Sequence, residues 1–203
     1  RPVFADVDPD TLEIDPADIA RKITARTRAI IPVHYAGQPC DLDAIQGAIG
    51  KRPIPIIEDA AHALGTSYRD KLIGSSGNIA IFSFHPIKNI TTGEGGMIVC
   101  GNNDLAARLR RLRFHGITRD AWKRYAHGGV PQYEVEEPGY KYNLTDLQAA
   151  LGVQQFKKIA RFNNDRTRLA LRYRKMLADI PEIVCLKDVP YPAINSWHLF
   201  VVK

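Results

Sequence analysis

The sequence predicts a doubly wound α/β domain on a mostly parallel sheet, and three observations predict it. Short apolar runs of strand length recur at 29–33 (AIIPV), 54–59 (IPIIED) and 79–84 (IAIFSF). Helix-start chemistry falls between such runs: Asp15-Pro16 pairs a cap residue with a first-turn proline, and Asp41 opens the stretch 41–49. Strand and helix then alternate as far as Val99, the pattern of parallel strands with crossover helices. No G-x-G-x-x-G follows any of the strands, so the alternation carries no dinucleotide fingerprint.

Taken in order, 2–7 (PVFADV) reads as a strand and 17–23 as a helix behind its Asp-Pro start. Residues 29–33 read as a strand, and His34 to Gly37 turn the chain into the helix 41–49. Residues 104–113 (DLAARLRRLR) form a helix with a leucine stripe (Leu105, Leu109, Leu112). Its arginines read as a solvated face, since no aromatic residues interleave as a nucleic-acid surface would require. The stretch 118–138 shows no clean period, holds Trp122, Tyr125, Tyr133 and Gly128-Gly129, and reads as a long functional loop. Thr145 and Gln148 make a capping box. A long helical stretch follows, with Leu169, Tyr173, Met176 and Ile180 at helical spacing, and 197–202 reads as a strand.

Composition bounds the class. With 203 residues, 45% apolar and 25% charged, the chain is an ordinary globular protein of one large domain, or one domain plus a fragment. No run approaches the ~20 apolar residues that cross a bilayer. Three cysteines without metal spacing (Cys40, Cys100, Cys185) read as reduced thiols of a cytoplasmic protein. The net charge of +6 suits acidic ligands such as phosphates, or a solvated surface. His34, His62, His85 and His115 lie in four separate segments with no accompanying carboxylate pattern, so no metal site is expected.

Chemistry concentrates at 82–96, FSFHPIKNITTGEGG. Lys88 sits at the mouth of a sheet, in a loop of hydroxyls and glycines that lets the backbone turn tightly. Such a lysine suits Schiff-base chemistry on a phosphorylated cofactor. Asp59 ends the preceding apolar run, where ligands of open α/β sheets bind. The pair is what pyridoxal 5'-phosphate requires: a lysine to hold the cofactor as an imine, and an aspartate to keep the ring nitrogen protonated. Ser83 offers a hydroxyl to the phosphate; a strand-end serine bonded to its own backbone is the plainer alternative.

These residues carry a resemblance. EDAAHALGTSY (58–68) and FSFHPIKNITTGEGGMIV (82–99), with PVHYAGQPCDLDAI (32–45), RFHGI (113–117), PGYKYNLTDLQAALG (138–152) and WHLFVV (197–202), resemble the DegT/DnrJ/EryC1/StrS family of nucleotide-sugar aminotransferases along nearly the whole chain. The resemblance implies a fold-type I pyridoxal phosphate transferase: three αβα layers around a mixed, mostly parallel sheet, with a smaller C-terminal α/β domain. It divides the chain into a cofactor domain (1–144), a connecting helical stretch (145–180) and the start of the small domain (181–203). Family members are longer at both ends, and their N-terminal portion supplies a helix N-terminus for the phosphate and an aromatic residue for the ring.

By resemblance, Lys88 is the catalytic lysine, and Asp59, His62 and Ser83 contact the cofactor. The family's G-Y-N-Y-R becomes GYKYN here, placing Lys141 and Asn143 where residues reach across a homodimer to the neighbour's phosphate. The implied reaction moves an amino group from glutamate to C4 of a nucleotide-linked 4-keto sugar. The branch that modifies lipid A, acting on a UDP-4-keto-pentose, is nearest; a UDP- or dTDP-4-keto-6-deoxyhexose is the alternative. Lys88 argues against the family's dehydratases, which carry histidine there. Two other classes stand as alternatives: a non-catalytic or regulatory relative and, against the expectation of no nucleic-acid partner, a basic nucleic-acid-binding module. No membrane partner is expected.

Overall fold

The computed structural model describes residues 1–117 and 134–203. The central sheet has the order β1 (Ile57–Asp59), β4 (Ile79–Ser83), β5 (Gly96–Val99), with β1 parallel to β4 and β5 antiparallel at the other side. The run 29–33 adds a parallel rung beside β1 through bridges Ile30–Ile56 and Val33–Asp59. Its backbone bonds run from Ile30 N to Pro55 O and from Asp59 N to Pro32 O. Pro32 has no N–H to give to the ladder, so the rung stays in two pieces.

Alternation sorts the side chains of this sheet. Ala80, Phe82, Ile56 and Glu58 face a core closed by α2 (Leu42–Ile49) and α5 (Ile159–Leu177), with α1 (Pro16–Lys22) packed on α2. Ile31, Val33, Ile81 and Ile98 are exposed. Such apolar character on both faces belongs to sheets that are covered on both sides. A second small sheet, β3 (Lys71–Leu72), β2 (Ser67–Tyr68), β6 (Ala193–Ile194), ties the C-terminal segment to the core, and Tyr191 donates to Pro39 O.

Helix starts follow local chemistry. Asp15, Asp41, Asn102 and Thr145 each accept a hydrogen bond from a first-turn N–H, and Thr145 with Gln148 forms the complete capping box. Each such cap contributes about 1 kcal/mol. Helix α3 (Asn103–Leu112) has its arginines partly neutralised, Arg108 on Glu137 at 3.0 Å and Arg111 on Glu136 at 3.0 Å.

The structure changes or refines four expectations. Residues 2–7 form no strand: Val7 bridges Ile14, Val3 and Phe4 are exposed, and the Asp6 N–H goes to the Asp18 carboxylate. The long helical stretch is made of two helices, α4 (Asp146–Phe156) and α5, separated at Lys157 and Lys158. The stripe Leu169, Tyr173, Met176 and Ile180 is exposed, while Asn163 and Ala170 turn inward. The run 197–202 contributes only the Val202–Cys185 bridge, because Trp197 takes a left-handed backbone (φ 48°). Trp122, Tyr125, Tyr133 and Gly128-Gly129 lie outside the described residues.

Candidate active site

β1 ends at Asp59 and β4 ends at Ser83, on adjacent parallel strands. Asp59 is registered with Ile81, and Ser83 lies two residues further on, so both side chains share the face opposite Glu58 and Phe82. This is the carboxyl end of an open sheet, where ligands of such folds sit. Asp59 accepts one bond at Oδ1, from Ala61 N at 3.0 Å, and its Oδ2 accepts none among the described residues. The Ser83 Oγ accepts from His85 N at 3.3 Å, which is the plain strand-end geometry and leaves its proton free to donate.

The chain then turns through residues 85–88, where the Lys88 N–H closes on His85 O at 3.0 Å, leaving Lys88 half-buried. Its ammonium makes no hydrogen bond or ion pair among the described residues. Thr91 donates to Phe84 O and Thr92 to Glu94 O, folding the loop back onto β4. Gly95 has φ +150°, and a Cβ there would meet Thr92 Oγ1 at 2.6 Å, so glycine is required for the loop to close.

His62 lies in the turn after β1. Its ring lies tilted against His198, 4.4 Å between centroids with 39° between the planes, and its Nδ1 is buried without a hydrogen bond among the described residues. Burial and the Lys88 charge hold His62 below the usual histidine range, with Asp59 pulling the other way. His62 is therefore within electrostatic reach of both Lys88 and Asp59. The structure brings Asp59, Ser83, Lys88 and His62 to one end of the sheet.

Lys141 and Asn143 belong to the segment that pairs with Phe114. Lys141 bridges Phe114 in an antiparallel pair, lies over that ring at 5.2 Å, and donates to Asn143 Oδ1. No hydrogen bond or ion pair among the described residues joins either one to Asp59, Ser83 or Lys88. Asn143 does line a hollow of about 350 Å³ between residues 94–96 and 142–144, with Gln148 at its wall.

The model of the DegT/DnrJ/EryC1/StrS aminotransferase family matches residues 1–203. The chain belongs to this family. Among solved structures it is similar to AtS13 from Actinomadura melliaura (36% identity, TM-score 0.88, all of this chain and 54% of that one). It is similar to PseC from Helicobacter pylori, an aminotransferase involved in the biosynthesis of pseudoaminic acid (33%, TM-score 0.88, 100% and 52%). It is also similar to the PLP form of Spr1654 from Streptococcus pneumoniae (30%, TM-score 0.88, 100% and 54%). The chain spans about half the length of these structures, and its fold is that of fold-type I transferases.

Sequence reasoning missed three residues at this site. His198 arrives from the C-terminal segment to cover His62, within the run WHLF. Asn89 follows Lys88 directly and is buried; Asn163 reaches it from α5. Adjacency to the lysine was a signal for Asn89. For the other two the contact joins residues more than 70 apart in sequence, which no local pattern reveals.

Proposed function

We propose that this protein is a pyridoxal phosphate-dependent aminotransferase that moves an amino group from glutamate to the 4-keto carbon of a nucleotide-linked sugar. The observation that carries the reading is the set of open groups at one end of the sheet: the Asp59 carboxylate, the Ser83 hydroxyl and the Lys88 amine. This donor set fits the cofactor's pyridine nitrogen, phosphate and aldehyde in turn, and the bare Nδ1 of His62 supplies a further polar atom for the ring side.

When bound, pyridoxal phosphate supplies an electron sink for the substrate carbon. Asp59 would hold the proton on the ring nitrogen, its own charge favouring that form. Ser83 would donate its hydroxyl hydrogen to the phosphate, keeping the Oγ lone pair on the His85 N–H. Lys88 would hold the cofactor covalently and, once displaced by the incoming amine, carry protons as general acid and base.

Lys141 and Asn143 would serve a neighbouring subunit's phosphate in a homodimer. The exposed apolar residues Leu147, Val153 and Phe156 of α4, beside Tyr142, support such a contact. We assign residues 1–144 to the cofactor domain, 145–180 to the connection and 181–203 to the start of the small domain. The sequence resemblance favours a UDP-4-keto-pentose of lipid A modification over 4-keto-6-deoxyhexoses, and a cytoplasmic location.

The test is the absorption spectrum of the full-length protein with pyridoxal phosphate, before and after borohydride, followed by peptide mapping. A visible band that reduction fixes on Lys88 is the expected result. A folded dimer that shows no band overturns the reading in favour of a non-catalytic relative.

A further inference from the structure

We propose that Asn89 is a positioning residue that locks His198 in the Nδ1–H tautomer, leaving Nε2 as the acceptor edge of the neutral ring.

The argument starts from hydrogen-bond accounting. The Asn89 side chain is buried, with one oxygen and one NH2 group to satisfy. Both N–H donors are committed, one to Asn163 Oδ1 at 2.9 Å and one to the Ser196 carbonyl at 2.8 Å. A carbonyl can only accept, so the nitrogen must face Ser196, and the orientation of the amide is settled. Its Oδ1 therefore lies 3.1 Å from His198 Nδ1. An amide oxygen has no proton to give, so Nδ1 must carry the hydrogen. In the neutral ring, Nε2 on the other edge is then bare.

Each partner is itself held. Asn163 donates to Leu64 O at 3.0 Å, and lies so close to Gly65 that a Cβ there would meet its Nδ2 at 2.4 Å. Gly65 has φ +83°, so both the space and the backbone exclude a side chain. Ser196 donates to His62 O, and Arg166 of α5 donates to the carbonyls of Trp197 and His198. The amide of Asn89 is thus gripped by α5 and by the C-terminal segment at once.

The charges around His198 agree. The groups that face it are His62 from the turn after β1, Lys88 from the loop and Arg166 from α5. Burial first, then these three groups, push the His198 ring down to about 4. Burial and these charges keep the ring neutral through the physiological range, while the Asn89 oxygen decides which nitrogen carries the one proton. A second cation beside Lys88 would hinder the lysine from carrying a proton; this consequence rests on the aminotransferase reading, whereas the tautomer does not.

The test is long-range ¹H–¹⁵N spectroscopy of the imidazole rings in the full-length protein, without added cofactor, from pH 5 to 9. The expected result is an Nδ1-protonated, Nε2-bare His198 that does not titrate in this range. In Asn89→Asp the carboxylate should raise the His198 titration by about one to three pH units. The acid limb of the pH–rate profile should move up with it, with kcat falling roughly tenfold and KM little changed. A wild-type His198 protonated on Nε2, or ionised at pH 7, overturns the proposal, as does a folded Asn89→Asp whose tautomer and titration match wild type. If Asn89→Asp does not fold, the wild-type spectrum decides alone. A wild type with the expected tautomer but no reducible band on Lys88 overturns the aminotransferase reading and leaves the assignment of His198 standing.

Discussion

Glu58 and Asp59 are neighbours in β1, and alternation sends them to opposite faces of the sheet with opposite outcomes. Glu58 is fully buried and bonded at both oxygens: His34 lies 2.9 Å from one, and Ser76 and Asn78 donate to the other at 2.7 and 2.8 Å. Burial pushes this carboxyl up, but the bonds from His34, Ser76 and Asn78 together outweigh it and the group is held below its ordinary range. Asp59 is half-buried, and one of its oxygens is left bare. The difference separates two uses of the same chemistry. A buried carboxylate with partners on both oxygens holds a core together, whereas one kept partly open at a strand end is available to a ligand.

The comparison can be broken at three points. The largest expected effect is at the open site: Lys88→Ala should lower amino transfer about a thousandfold or more with no change in the melting transition. Normal turnover in that variant would remove the lysine from the chemistry.

Next comes the adjacent pair. Asp59→Asn should cost about a hundredfold or more in turnover and leave stability within ~0.5 kcal/mol. Glu58→Ala leaves His34, Ser76 and Asn78 without their acceptor and should cost about 3–5 kcal/mol in denaturant unfolding. If the two variants exchanged these outcomes, the division between the faces would fail.

The smallest effect is a matter of pH. Glu13 is buried, with Oε1 lacking a hydrogen bond and Oε2 accepting from the Cys40 thiol at 3.0 Å. Burial raises it to about 8, against the opposing bonds from Cys40 and the Tyr35 backbone. The folded state therefore keeps a proton that the unfolded chain gives up above its ordinary value of 4.5. The stability is complete below that value and declines as the pH rises through about 8. Glu13→Gln mimics the protonated form and should flatten this slope, gaining up to about 3 kcal/mol at pH 7 in urea unfolding. A slope identical to wild type would show that Glu13 is already ionised in the fold.

Much of this architecture was legible in the sequence because its causes are local. Asp15-Pro16 and Thr145-x-x-Gln148 announce helices through side chains that bond within a few residues. The runs ending at Asp59 and Ser83 point to strand ends, and the structure sets those two residues on one face of the sheet. What stayed hidden depends on distant partners. The run 2–7 has strand composition and finds no ladder to join. The stripe at Leu169, Tyr173 and Met176 has helical spacing and faces outward, because the inward face of α5 is built from Asn163, Arg166 and Ala170. His198 could not be paired with His62 from spacing, since 136 residues separate them.

That separation bears on synthesis. Ser196 bonds to Thr66 and His62, and Asn89 bonds to Ser196 and His198, so part of what secures the lysine loop is made more than 100 residues after it. At ribosomal speeds of about 5–20 residues per second, the 110 residues between Lys88 and His198 take about 5 to 20 s to emerge. Through that interval Asn89 lacks two of its hydrogen-bond partners, Ser196 and His198, so the turn that carries Lys88 is held less firmly on the ribosome than in the finished fold.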